Sequence, residues 1–343
     1  MRRYIVMVAT LSFFAASPAW AQEELLTQCA QVQVTDNSAV ADAPGDVRDQ
    51  FRFLCAQVVN AVTNVQPSIG MAFNGGNPVL GTGSTIGKRI LGLPRVSVTA
   101  RANFAFADVP NLQQFANEVT QNQQTLEAME TFGLPAVALQ GDVAIGVFNG
   151  IKLAPMIGGF GAVDLLGSVA FIPKVKEIED KLGLDEAIIN AGGGVRIGII
   201  KQGILVPGVS VSGVYRRMGE VQFGEVDAPR SDPGEFASNL STLSLRVVAS
   251  KGILFLDFAA GAGYDKYSSD LSFDWQLRCE TNSCTSANAG QPIVLRPSKT
   301  AGGTPAPIEG ELETAAWNVF GDVALNFLML NIVGELGYQK STD

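Results

Sequence analysis

The stretch "RVSVTARANFAF", Arg95 to Phe106, places Val96, Val98, Ala100, Ala102, Phe104 and Phe106 on one face of an extended chain. Arg95, Ser97, Thr99, Arg101 and Asn103 fall on the other. Wound as a helix, the same residues would scatter arginines and apolar groups around the axis, so the period of two predicts a strand. The pattern recurs along the chain. Val137, Leu139, Val143, Ile145 and Val147 oppose Gln140 and Asp142, and Ile189, Val195, Ile197 and Ile199 oppose Asn190 and Arg196. Val209, Val211 and Tyr215 oppose Ser210, Ser212 and Arg216, while Leu243, Leu245 and Val247 oppose Ser244 and Arg246. Leu254, Leu256, Phe258 and Tyr264 oppose Asp257 and Asp265. Trp317, Val319, Val323, Leu325 and Phe327 oppose Asn318, Asp322 and Asn326, and Leu330, Ile332, Leu336 and Tyr338 oppose Asn331 and Glu335.

The segment 157–171 is a less regular case. As a helix it would hold Gly158, Gly159, Gly161 and Gly167, each costing about 1 kcal/mol relative to alanine, with Asp164 at its centre. A strand is expected instead, with Asp164 and Ser168 on the polar face and Phe160 and Leu166 breaking the alternation.

One charge-free face per strand fits a soluble antiparallel sandwich or a membrane barrel. Sandwich strands average about five or six residues and membrane strands need about nine to eleven, which favours the barrel. The connections alternate between short ones near 149–156, 201–204, 250–252 and 327–329 and long ones near 107–133, 172–188, 218–239 and 266–313. Tight turns at one rim and long loops at the other are the rhythm of an outer-membrane barrel with its long loops outside the cell. Phe104, Phe148, Phe171, Tyr215, Tyr264, Trp317 and Tyr338 lie near segment ends, where interfacial aromatic girdles belong.

The ends of the chain bear on export. Arg2 and Arg3, an apolar run from Ile5 to Ala16 and Ala19-Trp20-Ala21 read as a secretory signal peptide over residues 1–21. Charged residues make up only 17%, against about a quarter in ordinary soluble domains. With 24 basic and 33 acidic residues, nucleic acid is not an expected partner. The chain has no histidine, so catalysis by an imidazole base is excluded and no enzymatic role is expected. Neither a cofactor nor a metal is implied.

Four cysteines in an exported chain suggest disulfides. Spacing favours Cys29 with Cys55 and Cys279 with Cys284, although three connectivities are open and a metal is a rival for the second pair. Ahead of the strands, residues 22–66 form an N-terminal segment, with Phe51, Leu54, Cys55, Val58 and Val62 at helical spacing. It reads as a periplasmic cap or as a plug inside the lumen. Short helices are expected in the long loops, from Leu112, Phe115, Ala116 and Val119 and from Val175, Ile178 and Leu182. "GTGSTIGKR" approaches a phosphate-binding loop, but Thr82 replaces its first glycine and Arg89 the hydroxyl that would meet magnesium.

Signal peptide, alternating strands and asymmetric loops together resemble a Gram-negative outer-membrane β-barrel over residues 67–343. The resemblance implies a transmembrane antiparallel barrel of about ten to fourteen strands, with outer-membrane lipid and the barrel assembly machinery as partners. The lead-in "GGNPVLGTGSTIGKRILGLPR", Gly75 to Arg95, behind an N-terminal segment, is similar in layout to transporters of long-chain fatty acids and aromatic hydrocarbons. That likeness implies a lumen plug and passive admission of a small hydrophobic solute. A structural or adhesive barrel with a filled lumen and partner-binding loops is the alternative. The chain departs from the barrel pattern in ending "GYQKSTD" rather than on an aromatic residue, and in an odd count of nine strands, which calls for one strand more or an incomplete chain. Inward positions in this register are Arg95, Arg101, Asp142, Asp164, Arg196, Arg216, Arg246, Asp257, Asp265, Asp322 and Glu335, expected to line the lumen. A basic side chain turned to lipid at mid-depth would cost about 2 to 4 kcal/mol.

Overall fold

A computed structural model describes residues 19–36, 45–88, 94–110, 131–153, 158–172, 188–223, 234–275, 277–279, 293–298, 304, 306–327 and 330–341. The chain order is α1 (Ala19–Gln31), β1 (Gln33–Asp36), α2 (Gly45–Asn74), β2 (Arg95–Pro110), β3 (Thr131–Phe148), β4 (Val163–Ile172) and β5 (Ile188–Ile200). There follow β6 (Gly208–Met218), β7 (Val221–Phe223), β8 (Gly234–Ser238), β9 (Ser241–Ile253) and β10 (Leu256–Trp275). β11 (Leu277–Cys279), β12 (Ile293–Ser298), β13 (Ile308–Phe327) and β14 (Leu330–Ser341) complete it.

Nine strands form one antiparallel path in the order β14-β13-β10-β9-β6-β5-β4-β3-β2, and β7 and β8 attach at β10 to bring the sheet to eleven. The sheet curls into a half-barrel. Every step along the path is antiparallel, so its end strands β2 and β14 run in the same direction. They share no ladder among the described residues. A small sheet, β1-β12-β11, stands apart from the curled one.

The alternation that predicted each strand is the alternation of burial. On β9, Leu243 and Val247 are exposed while Thr242, Ser244, Arg246 and Val248 are buried. On β5, Ile189, Val195 and Ile197 are exposed while Asn190 and Arg196 are buried. The curled sheet thus carries charged side chains on its concave face and large apolar ones such as Val98, 79% exposed, on its convex face. Among the described residues no second sheet covers this outer face, so the sandwich reading finds no support in their topology.

The strand expected over 157–171 begins only at Val163. Gly159 and Gly161 take positive φ and make a turn of 158–162, which leaves Phe160 exposed at the rim instead of inward. Leu254 likewise belongs to the tight turn between β9 and β10. The amphipathic helix is longer than its spacing suggested. α2 runs on through Pro67 to Asn74, past the segment boundary placed at 66, and the Pro67 carbonyl accepts the side-chain amide of Gln339 at 3.0 Å. α1 spans residues 19–21, and residues 1–18 lie outside the described part, as do the loop helices expected within 111–130 and 173–187.

The anticipated Cys29–Cys55 disulfide is formed, joining α1 to α2. Both cysteines are buried with Leu25, Val59, Leu271, Phe273, Ile308 and Leu312. This cluster packs the two helices onto the ends of β10 and β13 that face the long connections. Cys284 is outside the described residues, so the Cys279–Cys284 pairing is too.

Candidate functional site: a clamped internal segment

The concave face of the sheet is occupied by the chain itself. α2 enters from the long-loop end, and its last turn buries Phe73 in a cluster with Ala138, Ala170, Met218, Tyr267 and Ala316. These five residues come from the inner faces of β3, β4, β6, β10 and β13, so Phe73 belongs to a core shared by walls far apart in the sheet order. Polar contacts fix the helix in register. Gln66 donates to Ser269 Oγ at 3.1 Å and accepts from Thr314 at 3.1 Å, and Asn103 donates to the Ala72 carbonyl at 2.9 Å.

Beyond Asn74 the chain leaves the helix as "GGNPVLGTGSTIGK", residues 75–88, and runs toward the short-turn rim with few backbone partners of its own. Buried backbone groups need partners, and here the sheet supplies them as carboxyl and guanidinium side chains. Glu335 accepts the amides of Gly76 and Asn77 at 2.8 and 2.7 Å. Asp322 accepts Asn77 Nδ2 at 2.6 Å and the Gly81 amide at 3.1 Å. Asp164, fully buried, accepts the amides of Ile86 and Gly87 at 3.0 and 3.3 Å and two bonds from Arg196 at 3.0 and 2.8 Å.

The arginines take the carbonyls. Arg246 donates to Gly76 at 3.0 Å and Gly75 at 3.3 Å while paired with Asp265. Arg101 donates to the Asn77 carbonyl at 3.2 Å and pairs with Asp142 at 2.7 Å. Arg196 reaches the Thr82 carbonyl at 3.3 Å. Arg216 holds the Asn74 side chain at 3.2 Å and Ser168 at 2.9 Å. Close approach also depends on glycine. The backbone of Gly87 lies where a Cβ on Gly146 would stand, and a Cβ on Gly83 would come within 2.9 Å of the Val248 carbonyl.

Of the eleven positions expected to line a lumen, Arg101, Asp164, Arg196, Arg216, Arg246, Asp322 and Glu335 bind the 74–87 segment directly. Asp142 and Asp265 act through the arginines they neutralise. Asp257 is engaged elsewhere, accepting from Asn326 at 2.6 Å and Gln202 at 3.5 Å near the short-turn rim. Arg95 is exposed at the start of β2, beside a 310 Å³ hollow shared with Thr82, Ser84 and Lys201. The mixture of signs on this face is explained by the job: a peptide backbone presents donors and acceptors alternately, so its binding surface needs both charges.

A second feature, unforeseen from the sequence, is a cavity of about 490 Å³ between the edge strands β2 and β14. Pro67 and Met71 of α2, Phe104 of β2 and Tyr338 of β14 form its apolar part, and Ser68 and Gln339 its polar part. No spacing rule finds such a place, because its walls meet only when the sheet curls. On the opposite side, the buried hydroxyls of Ser210, Ser212 and Ser244 have no protein partner. No helix among the described residues is long and apolar enough to cross a bilayer, so a membrane reading rests on strands alone. No protein-family model, curated protein or solved structure matches this chain.

Proposed function

We propose that the protein is a membrane β-barrel of the outer-membrane type whose lumen is closed by its own N-terminal segment, and that it passively admits a small, largely hydrophobic solute. The exposed apolar face supports the membrane part. On β13 the residues Trp317, Val319, Val323 and Leu325 alternate outward toward Phe327, and beyond Trp317 and the buried Ala315 the same register carries Glu313, Glu311 and Glu309. About ten steps of roughly 3.4 Å, tilted about 40°, give a band about 26 Å tall, the height of the apolar belt on such barrels. Tyr215, Tyr264, Trp317 and Tyr338 mark its upper edge, with Arg217, Lys266 and Lys340 one outward step beyond. An export signal over residues 1–21 and insertion by the barrel assembly machinery belong to the same reading.

The observation that carries the transport part is the cavity at the β2/β14 seam. Its volume suits a small ligand, its lining is half apolar, and it touches both wall edges and the plug helix, so a solute held there reaches lipid on one side and the plug on the other. Liposome uptake of a hydrophobic tracer tests it. Uptake is expected with the wild type and is expected to fall with Met71→Trp, which fills the cavity. Tracer uptake no faster than in protein-free liposomes would refute it and leave the structural barrel, a reading favoured by how completely the internal segment is clamped. A heat-dependent gel shift of the unboiled protein tests the barrel independently.

A further inference from the structure

The short-turn rim has a composition at odds with its exposure. Leu254, at the tip of the β9–β10 turn, is 95% exposed and is the only non-glycine residue among those described with positive φ, at 58°. That conformation brings Cβ against the following carbonyl, and a two-residue hairpin turn normally gives the position to glycine or asparagine. A leucine here accepts backbone strain in order to hold an apolar side chain away from the protein. The neighbouring turns do the same without strain. Ile204 is 92% exposed, and Leu205, Phe255, Ile151 and Leu153 are exposed beside it.

These turns form one surface. The Lys201 amide donates to Gly158 at 2.8 Å, Lys251 Nζ caps the Gly203 carbonyl at 2.8 Å and that of Ile204, and the Asn326 amide donates to Phe255 at 2.9 Å. The same rim carries Lys88, Arg95, Lys152, Lys201 and Lys251, none of them in an ion pair with a described carboxylate. The carboxylates at the described strand starts of this rim are engaged inside the protein, Asp257 by Asn326 and Gln202 and Asp164 by Arg196 and the amides of Ile86 and Gly87. The opposite end of the sheet mixes signs, with Glu309, Glu311, Glu313, Asp270 and Asp274 beside Arg217, Lys266 and Lys340, and Lys266 pairs there with Glu313 at 2.6 Å. Isolated exposed apolar residues need no explanation, but linked apolar turns ringed by cations with no described carboxylate partner do.

We infer that the short-turn rim is a lipid-binding surface: the apolar turn tips enter the acyl-chain boundary of the bilayer, and the five cations bind the phosphates of an anionic phospholipid leaflet. The occupant follows from the pairing of features. Water offers nothing to Leu254, Ile204 and Phe255, and an apolar protein partner offers nothing to five cations. A headgroup layer over acyl chains satisfies both within a few ångströms, each cation near an anionic surface contributing attraction that salt screens. The rim then ends at the membrane surface instead of projecting beyond it. This inference rests on the membrane reading above, and the experiment separates the two.

With the Cys29–Cys55 disulfide intact, a single thiol introduced by Leu254→Cys takes an environment-sensitive fluorophore, and Val323→Cys in the apolar band serves as the reference. The labelled proteins are reconstituted in phosphatidylcholine alone and in phosphatidylcholine with phosphatidylglycerol, with nitroxide quenchers at defined lipid depths. Quenching of the 254 label by shallow acyl-chain nitroxides is expected, greater in the anionic bilayer, and reduced to the zwitterionic level when Lys88, Lys152, Lys201 and Lys251 are all changed to glutamine. If the 323 label is quenched while the 254 label remains open to aqueous iodide, the rim inference fails and the barrel stands. If neither label is quenched, both fail. Depth that is the same in the two bilayers and indifferent to the lysine changes overturns the anionic-headgroup assignment. Leu254→Gly adds a readout free of labels: relief of the positive-φ strain is expected to raise the unfolding midpoint in detergent, while the gain in stability on adding anionic bilayer lipid is expected to shrink.

Discussion

Replacing Asp164 by asparagine tests the internal clamp at its most buried point. The carboxylate accepts two bonds from Arg196 and the amides of Ile86 and Gly87, and both partners of the ion pair are buried, Asp164 at 0% exposure and Arg196 at 1%. Asparagine keeps the shape but carries one donor group, and every group around it is also a donor. Whichever way the amide turns, an N–H faces either Arg196 or the backbone of residues 86–87, and the guanidinium loses its counter-charge. Breaking one side of a buried pair costs about 3 to 5 kcal/mol because the remaining charge is stranded. The assay is equilibrium urea unfolding from lipid bilayers, followed by tryptophan fluorescence. Removing both charges, Asp164→Ala with Arg196→Met, leaves orphaned amides but no stranded ion and is expected to cost less than Asp164→Asn alone. Asp257→Asn, which touches a glutamine and an asparagine instead of an arginine, is the control, with an expected loss of about 1 kcal/mol. A loss below about 1 kcal/mol for Asp164→Asn, or a double variant less stable than the single one, would refute the reasoning.

Three further outcomes are expected. Phe73→Ala empties the centre of the core shared by five strands and should cost about 3 to 5 kcal/mol in the same unfolding assay, with a rise in bilayer conductance as the segment loosens. Cys29→Ser with Cys55→Ser opens a loop with a sequence separation of 26 and should lower stability by about 3 kcal/mol, an effect that reductant reproduces in the wild type. Gly146→Val pushes a side chain into the backbone of Gly87 and should displace residues 84–88 from the wall, seen as faster amide exchange there with the exchange of β5 and β6 unchanged.

The strands were legible from Arg95 onward because a half-buried strand writes its two environments into alternate residues, and the exposed Val98 and buried Arg246 occupy the faces that pattern assigned. Where the backbone leaves the period, alternation misleads: by count Phe160 falls inward, but the turn that Gly159 and Gly161 make leaves it exposed at the rim. The disulfide of Cys29 was favoured by spacing, and an amphipathic stripe located α2 while its length past Pro67 depended on partners such as Gln339.

By itself, then, the sequence determined the local conformation of the wall and the face on which most of its charges sit, since both follow from short-range periodicity. Only the tertiary structure decided what those charges do. Glu335, Asp322 and Asp164 lie 259, 241 and 77 residues from backbone amides they hold, and no local rule connects positions that far apart. The cavity at the seam and the cationic apolar rim are of the same kind, made when a curled sheet brings distant turns and edges together.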